Sequence, residues 1–265
     1  MKVVAVSDQH LGYTNSDKPA FNQFLDHLKE DREVTDLVLL GDVVDMWRRD
    51  SSGVFLENGD TIEKVMGLSQ RRVNVHYVAG NHDFHVLKLQ NFSYPFNFVE
   101  NLMLRDGDYT YRFLHGYEFD PLQKKPLMEA LCRVMSDQAG NFESGLWTEL
   151  TRDWSNPRYV LFEIFLFWKK GNVRRTADRL QQRPEDRLKG FLDQINSRAC
   201  ANVKPREILI FGHTHSPFVN KSENVVNSGS WVKDATNYDT YVELTKGKPR
   251  LFVFGGHEIT QRIEC

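Results

Sequence analysis

The sequence predicts an α/β (α+β) fold whose strand-forming segments are interrupted by a helical insertion. Short β-branched runs alternate with longer amphipathic stretches over the first 115 residues, the pattern of βαβ units around a buried sheet. Residues 121–203 have few such runs and are rich in Leu, Phe, Trp, Arg and Gln, and from Glu207 the β-type segments return. At 265 residues the chain reads as one domain, 1–265, carrying a lid-like helical insertion at 121–203.

In chain order, strands are expected at 2–7 (Val3-Val4-Ala5-Val6), 36–40, 73–79 and 110–114. Between them, Phe21, Phe24, Leu25 and Leu28 mark one helical face, and Ile62, Val65, Met66 and Ser69 mark another. The insertion divides into helices broken near Asn156-Pro157, Gly171 and Pro184. Ile208 to Phe211, Asn224 to Asn227, Thr240 to Thr245 and Arg250 to Phe254 complete the strands, separated by Gly, Asn and Pro turns.

Composition narrows the function by exclusion. A formal net charge of −2 supplies no whole-protein attraction to nucleic acid or anionic membrane. Cys132, Cys200 and Cys265 are odd in number and far apart, which argues against a disulfide framework and a zinc-thiolate site and fits a reducing, cytoplasmic setting. The opening segment has no apolar signal-peptide core. The most apolar stretch, Tyr159 to Trp168, is ten residues interrupted by Glu163, against the roughly 20 that a membrane span needs.

The chemistry is concentrated at strand ends. Asp8-Gln9-His10 directly follows the first strand, and because residues i and i+2 of an extended segment share a face, its carboxylate and imidazole are expected to converge. Gly41-Asp42-Val43-Val44-Asp45, Gly80-Asn81-His82-Asp83, His115-Gly116 and Gly212-His213-Thr214-His215 end four more strands, where open α/β sheets place ligands. Each alone could be a capped turn or a solvated histidine. Together they hold five of the nine histidines, too many for coincidence. Asp, Asn and His without Cys suit borderline divalent ions such as manganese, iron, zinc or cobalt. The seven ligand candidates Asp8, His10, Asp42, Asn81, His115, His213 and His215 exceed one four-coordinate site. They suit two ions about 3.5–4 Å apart, as in two-metal hydrolases.

These motifs resemble the calcineurin-like metallophosphoesterase superfamily, whose Asp-x-His, Gly-Asp-x-x-Asp, Gly-Asn-His-Asp, His and Gly-His-x-His segments are present in order between residues 8 and 215. Asn227-Ser228-Gly229-Ser230 resembles a further segment of that family. The resemblance implies a two-sheet β-sandwich flanked by helices. It also implies one metal on Asp8, His10 and His215, a second on Asn81, His115 and His213, and Asp42 bridging them. Two manganese ions are the foremost expectation. His82 is then no ligand but the catalytic histidine beside the scissile phosphate, paired with Asp45, and Asn81 also contacts substrate. Within the superfamily, Gly41 to Trp47, Asn81-x-Asp83-Phe84 and the insertion after Gly116 look most like UDP-2,3-diacylglucosamine hydrolases. His82 departs from the Arg of those enzymes. Asp8-x-His10-Leu11-Gly12-Tyr13 also resembles the superfamily's double-strand-break repair nucleases, which are longer and without such a lid.

Substrate readings rest on the insertion. Residues 166–190 hold eight basic and three acidic side chains beside the aromatic stretch. A lid would let Lys169, Lys170, Arg174 and Arg175 grip phosphate while Phe162, Phe165, Phe167 and Trp168 meet an apolar or base moiety. A helix peripheral to an anionic membrane, or a solvated basic helix on a cap, would show the same pattern. The expected substrate is a phosphate-containing small molecule or lipid, with nucleic acid ranked lower and an idle membrane-peripheral adaptor lower still.

Overall fold

The structure is a computed structural model that describes residues 1–120, 184–233 and 237–264. Four parallel strands, β1 (Lys2–Val6), β2 (Asp36–Leu40), β3 (Asn74–Val78) and β4 (Phe96–Val99), lie side by side in that order. The antiparallel strands β10 (Thr240–Thr245) and β11 (Lys248–Val253) extend this first sheet beyond β1. A second sheet places β6 (Tyr109–Phe113), β7 (Glu207–Phe211) and β9 (Val225–Asn227) in parallel. There β5 (Leu102–Asp106) pairs antiparallel to β6, β8 (Phe218–Asn220) antiparallel to β9, and β12 (Arg262–Ile263) parallel to β8.

The continuous apolar runs follow from burial on both faces. In β1, Val4 and Val6 join Leu37, Leu39 and Val75 beneath helices α1 (Lys18–Glu30) and α3 (Gly59–Ser69), through Phe21, Phe24, Leu25, Leu28, Val65 and Leu68. Val3 and Ala5, one residue out of phase, join Val38, Leu40, Phe113, Ile208, Ile210 and Val226 between the sheets. Leu209, Phe211 and Val225 face outward against Ile195 and Ala199 of α4 (Pro184–Cys200). The layers are therefore helix, sheet, sheet, helix.

Asp17 caps α1 by accepting the Ala20 N–H at 3.2 Å, and all four predicted face residues are buried. Phe24 packs on Trp231 and Phe254, with ring centroids 5.1 and 5.6 Å apart. Phe24→Ala is expected to destabilise the protein by about 3–5 kcal/mol, read as a lower urea midpoint; an unchanged midpoint would remove this face from the core. The α3 face differs from the expected one. Thr61, Val65 and Leu68 are buried while Met66 is 36% exposed and Ile62 is half-buried. Thr61 can turn inward because its hydroxyl donates to Asn22 Oδ1 of α1 at 2.8 Å, a partner that periodicity cannot see.

The sequence reading did not identify β4, β5, β8, β12 or the short helix α2 (Ser51–Glu57). All but β5 and α2 span four residues or fewer, too short for a periodic signal, and in β5 the exposed Met103 hides the alternation of an edge strand. Of the expected insertion, α4 lies within the described residues; Lys169, Lys170, Arg174, Arg175 and the aromatic stretch lie outside them. Cys200, at the end of α4, is disulfide-bonded, contrary to the expectation from cysteine number and spacing, because separation along the chain does not report distance in the fold. Among the described residues no helix is long and apolar enough to cross a membrane.

Candidate metal centre

The ligand candidates follow the parallel strands of both sheets: Asp8 after β1, Asp42 after β2, Asn81 after β3, His115 after β6, and His213 with His215 after β7. Where these strands end, the chain turns sharply. Asp8, His10, Asp42, His213 and His215 all adopt left-handed backbone conformations, with φ of 57°, 47°, 53°, 66° and 53°. Such conformations cost roughly 1–3 kcal/mol each and persist only where surrounding contacts impose them. Asp and His tolerate them better than β-branched residues do. Asp8 and His10 therefore do not converge by sharing a face of extended chain, as the sequence reading supposed; each is turned back individually. The turns are tied across chain segments by Asp8 N–H to Gly41 O at 3.0 Å, His10 N–H to Asp42 O at 2.8 Å and Gly212 N–H to His115 O at 2.8 Å.

Two carboxylates divide their oxygens in the same way. Asp8 Oδ2 accepts the His213 N–H at 2.8 Å, joining the two sheets, while Oδ1 lies 3.0 Å from His215 Nε2 and 3.6 Å from His10 Nε2. Asp42 Oδ1 accepts the His82 N–H at 2.8 Å, while Oδ2 lies 3.2 Å from His115 Nε2 and 3.7 Å from His10 Nε2. Gly80 and Gly212 make these approaches feasible: a Cβ on the first would strike the Asp42 carboxylate, and one on the second the Asp8 carboxylate and Ser7.

The structure brings Asp8, His10 and His215 into one cluster of potential ligand atoms, Asp42, His115 and His213 into a second, and His10, Asp45 and His82 into a third, each within 4.8 Å. Asp42 Oδ2 of the second lies 3.7 Å from His10 Nε2 of the first. The donor set fits cations at the first two clusters. His115 Nδ1 lies 2.9 Å from Leu40 O, which only accepts, so this nitrogen carries the proton and Nε2 is the atom facing Asp42. That Nε2, Asp42 Oδ2 and Asn81 Oδ1 are buried without hydrogen-bond partners, although the first two are 3.2 Å apart. A lone pair set against a carboxylate oxygen calls for a positive charge, either a proton or a metal ion. Burial disfavours charge on the rings, yet Asp45, Asp8 and Asp42 lift His10 to about 9, and Asp42 and Asp8 lift His115 to about 10. Against the same burial, the histidines hold Asp8 and Asp42 well below the usual carboxylate range.

His82 and Asp45 sit beside this cluster. His82 Nδ1 is 2.9 Å from Asp45 Oδ1, and its Nε2 is 4.0 Å from Asp42 Oδ2. Burial lowers His82, outweighing Asp45 and Asp42. Trp47 stacks on the His82 ring with centroids 4.1 Å apart. Asp45 also receives His10, whose Nδ1 lies 3.0 Å from Oδ2, so one carboxylate serves a ligand of the first cluster and the histidine beside the second.

Three residues that shape the site carry no role in the sequence expectations, and one of them, Asp120, is absent from the motifs. Asp83 accepts Gly80 N–H and Val43 N–H at 2.7 Å each and Tyr77 Oη–H at 2.7 Å, locking the two ligand turns together. Burial and the neighbouring Asp42 raise it to about 6. Asp120 Oδ2 lies 3.9 Å from His213 Nε2. Asn227, noted only through the resemblance, donates to Gly212 O and Thr214 Oγ1 at 2.9 Å each and so braces the His213 to His215 turn. The Gly-Asn-His-Asp spacing signalled Asp83 and the Asn-Ser-Gly-Ser segment Asn227; nothing local signals Asp120.

The sequence matches the calcineurin-like phosphoesterase family over residues 1–217, a span that includes all seven ligand candidates, His82 and Asp45. The chain belongs to this family. No curated protein matches this calcineurin-like phosphoesterase. Among solved structures, it is similar to an archaeal phosphodiesterase at 14% identity, covering 96% of this chain and 99% of that one with a TM-score of 0.43. It is also similar to a predicted phosphoesterase from Streptococcus pneumoniae at 13% identity, 98% and 94% coverage and a TM-score of 0.38. Zinc-complexed Vps29 from Entamoeba histolytica matches at 15% identity, 95% and 90% coverage and a TM-score of 0.39. Likeness this remote decides nothing about activity.

Proposed function

We propose that this calcineurin-like phosphoesterase is a two-metal phosphohydrolase that cleaves phosphodiester or diphosphate bonds of a nucleotide-linked metabolite or lipid. The observation that carries the reading is the buried pair Asp42 Oδ2 and His115 Nε2, 3.2 Å apart without a hydrogen bond, with His82 Nε2 4.0 Å from the same oxygen. Asp8, His10 and His215 would hold one ion; Asn81, His115 and His213 the other, with Asp42 shared. Manganese is the first ion to test, with iron, zinc and cobalt next. When bound, two such ions activate water and neutralise charge on phosphate oxygens.

The chain's own residues supply the rest. Ionised Asp45 accepts from His82 Nδ1, which fixes the ring and leaves Nε2 directed toward the Asp42 side. A phosphate anion set against Nε2 favours the imidazolium, since nearby negative charge stabilises the protonated ring. As the bond from phosphorus to the leaving oxygen breaks, His82 gives its Nε2 proton to that oxygen. The Gly41 to Trp47 segment and Asn81-x-Asp83-Phe84 support a substrate class near the UDP-2,3-diacylglucosamine hydrolases, while His82 in place of Arg sets this chain apart from them.

The test is a metal-reconstituted screen over bis(p-nitrophenyl) phosphate, nucleotide diphospho-lipids, cyclic nucleotides and single-stranded DNA. Turnover with none of them under any divalent metal would end the proposal. His82→Ala is expected to lower kcat by about 10²–10⁴-fold with full metal content retained. Metal loss in that variant would instead make His82 a ligand.

A further inference from the structure

Asp45 is fully buried and accepts from five directions. Oδ1 receives the backbone N–H groups of Trp47 and Arg48, at 3.2 and 3.1 Å, together with His82 Nδ1. Oδ2 receives His10 Nδ1 and the Arg48 guanidinium. Because an ionised carboxylate only accepts, both imidazoles must present Nδ1–H to it, which leaves both Nε2 atoms for the site. A carboxylate that orients two rings at once needs its plane fixed. The backbone bonds fix Oδ1. The Arg48 guanidinium fixes Oδ2, and it is held in turn by Tyr13, with Arg48 Cζ 4.0 Å from the ring centroid. Tyr13 belongs to the turn that follows His10, closed by Tyr13 N–H to His10 O at 2.9 Å, and Asn15 Nδ2 donates to its hydroxyl at 3.1 Å. The two ligand turns are thus clasped through Arg48.

We propose that Arg48, seated on Tyr13, is the positioning residue that holds the Asp45 carboxylate where it serves His10 and His82 together. Arg48 lies on the Nδ1 side of both rings, with Asp45 between it and the Nε2 atoms that face the ligand clusters. One face of its guanidinium is taken by Tyr13 and one edge by Asp45. That placement suits a support behind the pair rather than a contact to phosphate. Its kinetic consequence rests on the phosphohydrolase reading above; its structural consequence does not.

The test uses Arg48→Met and Tyr13→Leu in the full chain, with Tyr13→Phe as the ring-retaining control. Imidazole nitrogen NMR is expected to show a proton on Nδ1 of both His10 and His82, with His82 as the neutral Nδ1–H tautomer, in the wild type and in Tyr13→Phe. In Arg48→Met and Tyr13→Leu, His82 should move to a tautomer mixture. In parallel, kcat and KM are measured on aryl phosphodiesters with p-nitrophenyl and unsubstituted phenyl leaving groups. Arg48→Met is expected to lower kcat about tenfold or more on the phenyl ester, whose leaving oxygen needs a proton, but only about twofold on the p-nitrophenyl ester, with KM within about twofold. Histidine spectra identical to wild type in both variants would overturn the proposal. So would a raised KM with kcat intact, which would make Arg48 a substrate ligand, or equal kcat losses on both esters. If the wild type hydrolyses nothing with any metal, the phosphohydrolase reading fails and the histidine spectra alone decide the clasp.

Discussion

Asp42→Asn is expected to abolish metal-dependent hydrolysis and lower metal content, a loss beyond the roughly 10–100-fold typical of a residue one step removed from a metal. The substitution is nearly isosteric, and Oδ1 can still accept the His82 N–H that ties β2's turn to β3's. What changes is the other half of the side chain. Oδ2, an acceptor 3.2 Å from His115 Nε2 and 3.7 Å from His10 Nε2, becomes an NH₂ group that cannot ligate a cation and carries no charge. Elemental analysis and turnover on bis(p-nitrophenyl) phosphate check the outcome, with a thermal melt to show that the variant is folded. A folded variant with full metal content and activity within about tenfold of wild type would remove Asp42 from its bridging role.

Loading metal into the metal-free protein near pH 7 is expected to release about two protons, because ligands must be deprotonated to bind. His10 and His115, lifted to about 9 and about 10 from an ordinary 6.5, are both imidazolium at that pH, one proton more than the neutral ring that binds a metal. A histidine raised in the folded state stabilises it fully below the unfolded value, and that stabilisation is lost as pH climbs through the folded value. The metal-free protein should therefore lose thermal stability between about pH 7 and 10. The metal-loaded protein, whose cations replace those protons, should not share the decline. Calorimetry in buffers of different ionisation heat counts the protons, and thermal melts across pH test the slope. Metal uptake without proton release, or a flat melting profile for the metal-free protein, would contradict the assignment.

The candidate ligands were legible along the chain for a physical reason. β1, β2 and β7, buried on both faces, are written as nearly continuous apolar runs, so the polar residues that follow Val6, Leu40 and Phe211 mark strand ends, and the spacing of Asp and His there is a local property. Strand partners were less legible. β12 is held by β8, a neighbour distant in sequence, and Thr61 is buried by a hydrogen bond to another helix.

The arrangement of the site comes from contacts between segments far apart in sequence. The left-handed turns at Asp8, His10, Asp42, His213 and His215 exist because β1, β2 and β7 meet side by side and across the sandwich. Hydrogen bonds such as His213 N–H to Asp8 Oδ2, spanning 205 positions, hold the strained backbone. Asp45 illustrates the same division. Its place in Gly-Asp-x-x-Asp suggested a partner for His82, and that hydrogen bond is local to the meeting of two strand ends. Its second bond, to His10, and the Arg48 and Tyr13 clasp behind it depend on how the turn after β1 packs against the turn after β2. A linear sequence encodes which donors and acceptors are available; the packing of the two turns selects which of them one carboxylate can reach.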